Sequence, residues 1–101
     1  MKYLITIALL FLGISLHAQT VISGRVIDAN SGEPLPYVAI RGLNAQLGAV
    51  TDFDGYYNIS TDKSVDSIVA SYMGYTVSKK RVTQNKTQTI NFSLAEQASS
   101  L

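Results

Sequence analysis

The sequence contains no cysteine and no tryptophan, and its single histidine, His17, lies close to the N-terminus. Without cysteine there can be no disulfide, so the burial of apolar side chains must stabilise the fold by itself. After His17 the chain has neither the imidazole nor the thiol that zinc sites and Ser-His-Asp or Cys-His nucleophiles require. These absences predict a protein that has no resident metal, no cofactor and no enzymatic activity.

Long apolar runs are confined to the beginning of the chain. Lys2 precedes an apolar stretch from Leu4 to Leu16, and His17-Ala18 then leads to Gln19. This layout is typical of a secretory signal peptide that is cleaved after Ala18. The alternative is a membrane anchor, but a helix needs roughly 18 apolar residues to span a bilayer, and this run is shorter. We therefore predict a signal-peptide helix at residues 1–18 and an exported protein.

Removing residues 1–18 from the 101-residue chain leaves 83 residues, which is enough for one small domain. We predict that domain at residues 19–95, with residues 96–101 forming a tail or the start of a linker, and no membrane span after residue 18. This part of the chain has 7 basic and 7 acidic residues. The balance gives no electrostatic reason to expect nucleic acid as a partner.

The charges are nevertheless unevenly distributed. Residues 20–66 sum to a net charge of −3, whereas residues 67–95 sum to +4. Exposed ion pairs contribute only about 0–1 kcal/mol each, so we interpret the two regions as solvated strand faces that attract one another weakly.

Apolar residues alternate with polar residues along most of the chain after residue 18, which predicts strands and no helix. We count seven short strands separated by turn signals, and we predict an all-β fold, a seven-stranded antiparallel β-sandwich. The strongest turn signal is Asp54-Gly55, for which we predict a β-hairpin with Tyr57 and Ile59 pointing inward. The predicted core comprises Ile22, Val26, Val38, Ile40, Val50, Tyr57, Ile59, Ile68, Ala70, Tyr72, Val77, Ile90, Phe92 and Leu94.

Two ligand sites deserve consideration. Asp52 and Asp54 resemble the opening of a calcium loop, but the twelfth position of that loop is Lys63, where a bidentate glutamate is required. They are therefore weak calcium candidates, and a plain turn in which aspartates bond backbone amides is the favoured interpretation.

The tyrosines in the strands are compatible with a sugar-stacking platform, although strands favour aromatic residues for packing alone. These tyrosines are Tyr56, Tyr57, Tyr72 and Tyr75.

Four motifs in a fixed order carry a family resemblance. They are Ser23–Asp28, Ser31–Val38, Gly48–Tyr57 and Ser71–Tyr75. Together they closely resemble the carboxypeptidase-like regulatory domain, with a match that runs from Val21 to Leu94. The resemblance implies a seven-stranded, transthyretin (prealbumin)-like β-sandwich without a catalytic role of its own. It also implies that seven motif positions form turns and bulges rather than a site: Gly24, Gly32, Pro34, Asp52, Asp54, Gly55 and Gly74.

The resemblance also implies a place in the cell. In exported proteins of Gram-negative bacteria such a domain follows a signal peptide and precedes the plug and barrel of a TonB-dependent outer-membrane receptor or another large envelope protein. We therefore expect a non-catalytic accessory domain in the periplasm or at the outer membrane, with downstream domains or envelope proteins as its partners. The sequence stops just after the last predicted strand, which suggests either a fragment of a longer product or a free-standing domain. The alternative function is a free-standing periplasmic or surface module that binds glycans or peptides, and the oligomeric state stays open.

Overall fold

The computed structural model describes residues 19–97, and these residues form an all-β fold without a helix. The predicted signal peptide at residues 1–18 and the last four residues of the predicted tail lie outside this range. Among residues 19–97 there is accordingly no helix of the length and hydropathy that a membrane crossing needs. The strands are β1 (Thr20–Asp28), β2 (Ala39–Gly42), β3 (Gly48–Val50), β4 (Tyr56–Thr61), β5 (Ser67–Ser71), β6 (Ser78–Arg81), β7 (Thr87–Thr89) and β8 (Phe92–Leu94).

The strands form two sheets. In the first sheet β1 is central, with β4 along one edge and with β7 and then β8 along the other. The second sheet has the order β3-β2-β5-β6, and all of its neighbours are antiparallel. The prediction of an all-β, two-sheet fold is confirmed. The pairing differs in one respect from the antiparallel arrangement that was predicted, because β7 and β8 run parallel to β1.

The described part of the chain has eight strands rather than seven because the last predicted strand is divided in two. The interruption falls at Ile90 and Asn91, opposite Gly24 and Arg25 of β1. Here the Asn91 side chain replaces a ladder bond, since its Oδ1 accepts from the backbone N–H of Arg25 at 2.9 Å. Alternation of side chains continues through such an interruption, so the sequence pattern alone predicted one strand.

The predicted hairpin at Asp54-Gly55 is wrong, although a tight turn does form there. β3 pairs with β2 in the second sheet, whereas β4 pairs with β1 in the first sheet. The turn between β3 and β4 therefore carries the chain from one layer to the other. A short turn flanked by apolar residues has the same sequence signature in both arrangements, because local chemistry specifies the turn and not the partner of each strand.

Most of the predicted core is buried between the two sheets. Ten predicted positions are at most 5% exposed: Ile22, Val26, Val38, Ile40, Tyr57, Ile59, Ile68, Ala70, Phe92 and Leu94. Tyr72 and Ile90 are partly buried and pack against this cluster. Val50 and Val77 were predicted wrongly, with 59% and 57% of their surfaces exposed. The buried apolar residues that the pattern missed are Leu35, Val65, Val69 and Val82.

Val50 was predicted wrongly because, at the end of β3, the residue that points inward is the next one along the chain. The inward position is Thr51, whose hydroxyl donates to the carbonyl of Leu35 and accepts from the N–H of Val38, both at 2.8 Å. Both hydrogen-bonding functions of a fully buried threonine are thus satisfied.

Val69 was missed for a different reason. It points away from the core, but Arg41 and Lys79 are its register partners on either side, and their aliphatic stems can cover it.

Asp28 and Tyr75 join the end of β1 to the segment that follows β5. The Tyr75 hydroxyl donates to Asp28 Oδ2 at 2.6 Å, while Asp28 Oδ1 accepts from the N–H groups of Asn30 and Ser31. The hydrogen bond from Tyr75, with help from the two amides, holds the pKa of Asp28 below its ordinary value. The same bond raises the pKa of Tyr75 to about 12. The contact therefore favours the ionised carboxylate of Asp28 and the protonated hydroxyl of Tyr75.

Removing one core ring should test the packing. We expect Phe92→Ala to lower the free energy of unfolding by about 3–5 kcal/mol, because the ring is 1% exposed and its loss leaves a cavity. Val50→Ala is the matched control and should change stability by no more than about 0.5 kcal/mol, as expected for an exposed strand position. Urea unfolding followed by circular dichroism measures both values. Equal effects of the two substitutions would contradict the assignment of inward and outward faces.

The Asp28–Tyr75 contact should give stability a dependence on pH at both extremes. Because the pKa of Asp28 is lowered in the fold, its contribution is present above the unfolded value of about 3.9 and is lost as the pH falls through the folded value. Because the pKa of Tyr75 is raised to about 12, its contribution is present below the unfolded value and is lost as the pH rises through 12.

Tyr75→Phe should therefore flatten the stability profile at both ends. The measurement is urea unfolding across the pH range, and Tyr37→Phe, which changes an exposed hydroxyl, serves as the control. A Tyr75→Phe protein whose profile parallels that of the unmodified chain would show that the contact does not form in solution.

Candidate functional site: an open cleft and a free strand edge

The turn between the two layers is organised by the carboxylate of Asp52. Its Oδ1 accepts from the N–H groups of Asp54 and Tyr56, each at 2.9 Å, and its backbone carbonyl accepts from Gly55 at 3.0 Å. Gly55 has φ +84° and passes so close to β1 that a Cβ atom would lie 2.6 Å from the carbonyl of Val26. A side chain at position 55 is thus excluded both by backbone conformation and by space.

The aspartates that were weak calcium candidates lie in this turn. Within residues 19–97 there is no group of three or more His, Cys, Asp or Glu side chains placed to hold a metal ion. One oxygen of Asp52 already accepts two backbone amides. The geometry is that of a hydrogen-bonded turn, and Lys63 lies beyond the end of β4.

The remaining motif positions fall in different places. Gly32 and Gly74 lie in turns with φ +74° and +89°, and Pro34 forms an isolated bridge with Ile27. Gly24 is not in a turn but in the middle of β1, which corrects its assignment as a turn former. A Cβ at this position would lie 1.8 Å from the carbonyl oxygen of Ile90. Only glycine permits this approach at the interruption between β7 and β8.

The four tyrosines do not form one platform. Tyr57 is buried, its hydroxyl donates to the carbonyl of Ile90, and burial raises its pKa. Tyr72 and Tyr75 pack against each other with ring centroids 5.6 Å apart and planes tilted by 42°. Tyr56 is half exposed and instead lies beneath the guanidinium of Arg25. The sugar-stacking interpretation therefore has no common surface for these four rings.

A cleft of about 500 Å³ opens at the surface and is lined by residues of both sheets. Its lining includes two cationic side chains, Arg25 and Lys80, and no acidic one; the other lining residues are Ile27, Tyr56, Asn91, Phe92 and Ser93. The Cζ atom of Arg25 lies 4.9 Å from the ring centroid of Tyr56, and Nζ of Lys80 lies 5.5 Å from that of Phe92. Each cation thus rests near an aromatic ring, an arrangement that contributes about 0.5–1 kcal/mol at an exposed site.

Hydrogen bonds fix both cations further. Arg25 Nε donates to the backbone carbonyl of Asp54 at 3.0 Å, and Lys80 Nζ donates to that of Asn91 at 2.6 Å. The cleft therefore presents positive charge from two sides. It was missed by sequence analysis because Arg25 and Lys80 lie on different sheets and 55 positions apart, and no local motif connects them.

The edges of the two sheets differ in how they are protected. The edge strand β6 carries Lys79, Lys80 and Arg81, and charged side chains of this kind discourage the addition of another strand. The edge strand β3 is only three residues long. The edge strand β4 is six residues long, and its sequence contains neither a charged residue nor proline. In residues 19–97 no strand pairs with its outer edge.

The backbone groups that β4 turns outward can be identified from the ladder. The N–H of Val26 donates to the carbonyl of Gly55, and in an antiparallel ladder every second residue bonds its partner. It follows that Tyr56, Asn58 and Ser60 direct their backbone groups away from β1. Those of Tyr56 bond Asp52, whereas those of Asn58 and Ser60 face the unpaired edge.

These features define the class of the protein as a two-layer β-sandwich with a cationic cleft and one unprotected strand edge. The chain belongs to the CarboxypepD_reg-like domain family, whose profile matches residues 22–101. The resemblance inferred from the four sequence motifs is thereby confirmed.

The proteins of known name that are similar in sequence to this chain include TonB-dependent receptors. The chain is 42% identical over 80 residues to the TonB-dependent receptor P26 of Formosa agariphila, a match that covers 79% of this chain and 8% of the relative. It is 36% identical over 72 residues to the TonB-dependent receptor SusC of Bacteroides thetaiotaomicron, with 71% and 7% covered. The chain thus spans less than a tenth of the length of either relative.

Comparison with solved structures supports the fold alone. A protein of unknown function from Bacteroides fragilis superposes with a TM-score of 0.57 at 18% identity, covering 82% of this chain and 30% of that one. The Bacillus anthracis TIE protein gives a TM-score of 0.55 at 12% identity, covering 78% and 17%.

The Asp52 turn generates a prediction for stability. Asp52→Ala removes two hydrogen bonds to backbone amides and should lower the free energy of unfolding by about 1–3 kcal/mol. Asp54→Ala is the matched control, because the bond made at position 54 to Arg25 uses the backbone carbonyl and should persist. Urea unfolding measures both, in buffer with and without millimolar calcium. Stabilisation of the unmodified chain by calcium, lost in both variants, would establish a metal site and contradict the assignment as a turn.

Proposed function

We propose that this chain is a non-catalytic accessory domain of a cell-envelope protein, specifically the N-terminal module of a TonB-dependent outer-membrane receptor. The observation that carries the proposal is the 42% identity to such a receptor over 80 residues, which cover 79% of this chain. The absence of cysteine, and of histidine beyond His17, supports a role without catalysis. The predicted signal peptide supports export to the periplasm.

The physical work of the module, in this proposal, is to hold a neighbouring extended segment by strand addition at β4. The outward backbone groups of Asn58 and Ser60 offer hydrogen bonds to such a segment, and main-chain pairing gives affinity without a deep pocket. β4 lacks the charges that protect β6, so its edge favours the addition of a strand. The partner is a downstream segment of the same receptor or a neighbouring envelope protein.

The reading frame after codon 101 in the gene tests the receptor assignment. We expect an open frame that continues into a plug domain and then into a long series of alternating strands. A stop codon directly after codon 101 would contradict the receptor assignment and would favour the free-standing module.

The strand addition is tested by a substitution that removes one outward donor. Asn58→Pro deletes an N–H that makes no bond to β1, so the fold should persist while pairing at the edge is blocked. Asn58→Ala changes the same side chain but retains the N–H, and it is the matched control. We expect the proline variant of the purified chain to co-sediment severalfold less with outer membranes from its source cell, and the alanine variant to behave as the unmodified chain.

The circular dichroism spectrum of each variant must match that of the unmodified chain before binding is compared. If the Asn58→Pro protein disrupts the fold, Asn58→Lys places a charge on the same edge and serves in its place. Equal sedimentation of the blocked and control variants would contradict strand addition at β4.

A further inference from the structure

The cationic cleft has the composition of an anion-binding site. Two of its seven lining residues are cations and none is acidic, so the cleft lacks an internal partner for its positive charge. Its volume of about 500 Å³ is within the range of about 300–1,000 Å³ that is usual for ligand sites. The second, smaller depression on the surface differs in this respect, since Asp66 lies there together with Lys79 and Arg81.

Arg25 is arranged in advance for a planar anion. Its Nε is engaged by the carbonyl of Asp54, and the Tyr56 ring lies beneath the guanidinium. These contacts hold the guanidinium in one orientation through its Nε and one face of its plane, and Arg25 lines the cleft. A guanidinium matches the two oxygens of a carboxylate, and charge-assisted bonds of this type are about twice as strong as neutral ones.

The position of Arg25 relates the cleft to the free strand edge. Arg25 is the register partner of Tyr56, the first residue of β4, and its guanidinium extends over the Tyr56 ring. The guanidinium therefore lies above the edge strand itself. A segment added to β4 would run about 4.8 Å further out, within reach of a glutamate or aspartate side chain.

We propose that the cleft binds carboxylate side chains of an acidic, extended peptide segment that is paired with β4. The proposal rests on the function proposed above and adds the chemistry of the partner: main-chain bonds to Asn58 and Ser60 hold the segment, and Arg25 selects its acidic residues. Lys80, which is bonded to the carbonyl of Asn91, provides a second positive charge in the lining of the cleft. An acidic peptide fits better than a glycan, because Phe92 is only 1% exposed and the Tyr56 ring is engaged by Arg25, so neither is available for sugar stacking.

The test is a titration of the full chain, expressed for export and purified from the periplasm. The probe is a short capped peptide of alternating threonine and glutamate, and its partner probe has glutamine in place of glutamate. We expect the acidic peptide to bind at least about tenfold more tightly, a difference of about 1.4 kcal/mol. NMR amide shifts on binding should concentrate at Arg25, Tyr56 and Asn58, and raising the salt concentration should weaken the acidic peptide selectively.

Arg25→Gln should abolish most of the preference for the acidic peptide, and Lys80→Gln should reduce it by less, because Lys80 lies beside β8, across β1 from the added segment. Arg41→Gln is the matched control, since it removes the same charge from an exposed position on the second sheet and should leave the preference unchanged. A reduction of equal size in the Arg25→Gln and Arg41→Gln proteins would show a general charge effect and would overturn the proposal.

Other occupants give distinct outcomes. Tighter binding of a short oligogalacturonate than of the acidic peptide would overturn the proposal in favour of an acidic glycan. Equal binding of the glutamate and glutamine peptides would overturn the carboxylate site while leaving the receptor assignment intact. A stop codon after codon 101 would defeat the receptor assignment without changing either titration, so the two failures can be told apart.

Discussion

Strand β1 is the constraint on which the rest of the structure depends. Its nine residues pair with β4 along one edge and with β7 and β8 along the other, so three segments distant in sequence are aligned by a single strand. Ile22 and Val26 on its inward face are fully buried. Between them, Gly24 allows the Ile90 carbonyl to approach more closely than any side chain would permit. The same strand places Arg25 between its register partner Tyr56 and Asn91, and all three residues line the cleft.

The sequence predicted the parts of the fold that depend on local physics. Alternation assigned the inward face of β1, β4 and β8, since burial of every second residue is a property of each strand alone. It failed where a long-range partner decides the outcome. The connection at Asp54-Gly55 became a crossing between layers, and Thr51 rather than Val50 pointed inward because Leu35 and Val38 supply partners for its hydroxyl. Parallel pairing of β7 and β8 with β1 could not be predicted, because alternation is the same in both strand directions.

The cleft and the free strand edge were harder to predict from the sequence than the core. The motif Asp52 to Gly55, which resembled the opening of a calcium loop, forms a hydrogen-bonded turn. The cleft is instead lined by residues of β1, β4, β6 and β8, which no single sequence motif connects. The excess of basic residues between positions 67 and 95 indicated only one of the two cations of the cleft. Lys80 belongs to the basic segment and Arg25 does not, so their convergence follows from the packing of the sheets. The unprotected edge of β4 became visible only when its partner strand was known.

The parallel alignment of β1 with β8 has a mechanical consequence. Chain that precedes Thr20 and chain that follows Leu94 emerge near opposite ends of β1, which at about 3.3 Å per residue are roughly 25 Å apart. A pull between the two flanks would therefore load the hydrogen bonds between these strands in shear, so that they must rupture together rather than unzip one after another. The two ends of the sandwich therefore resist being pulled apart more strongly than the ends of strands whose hydrogen bonds break one at a time.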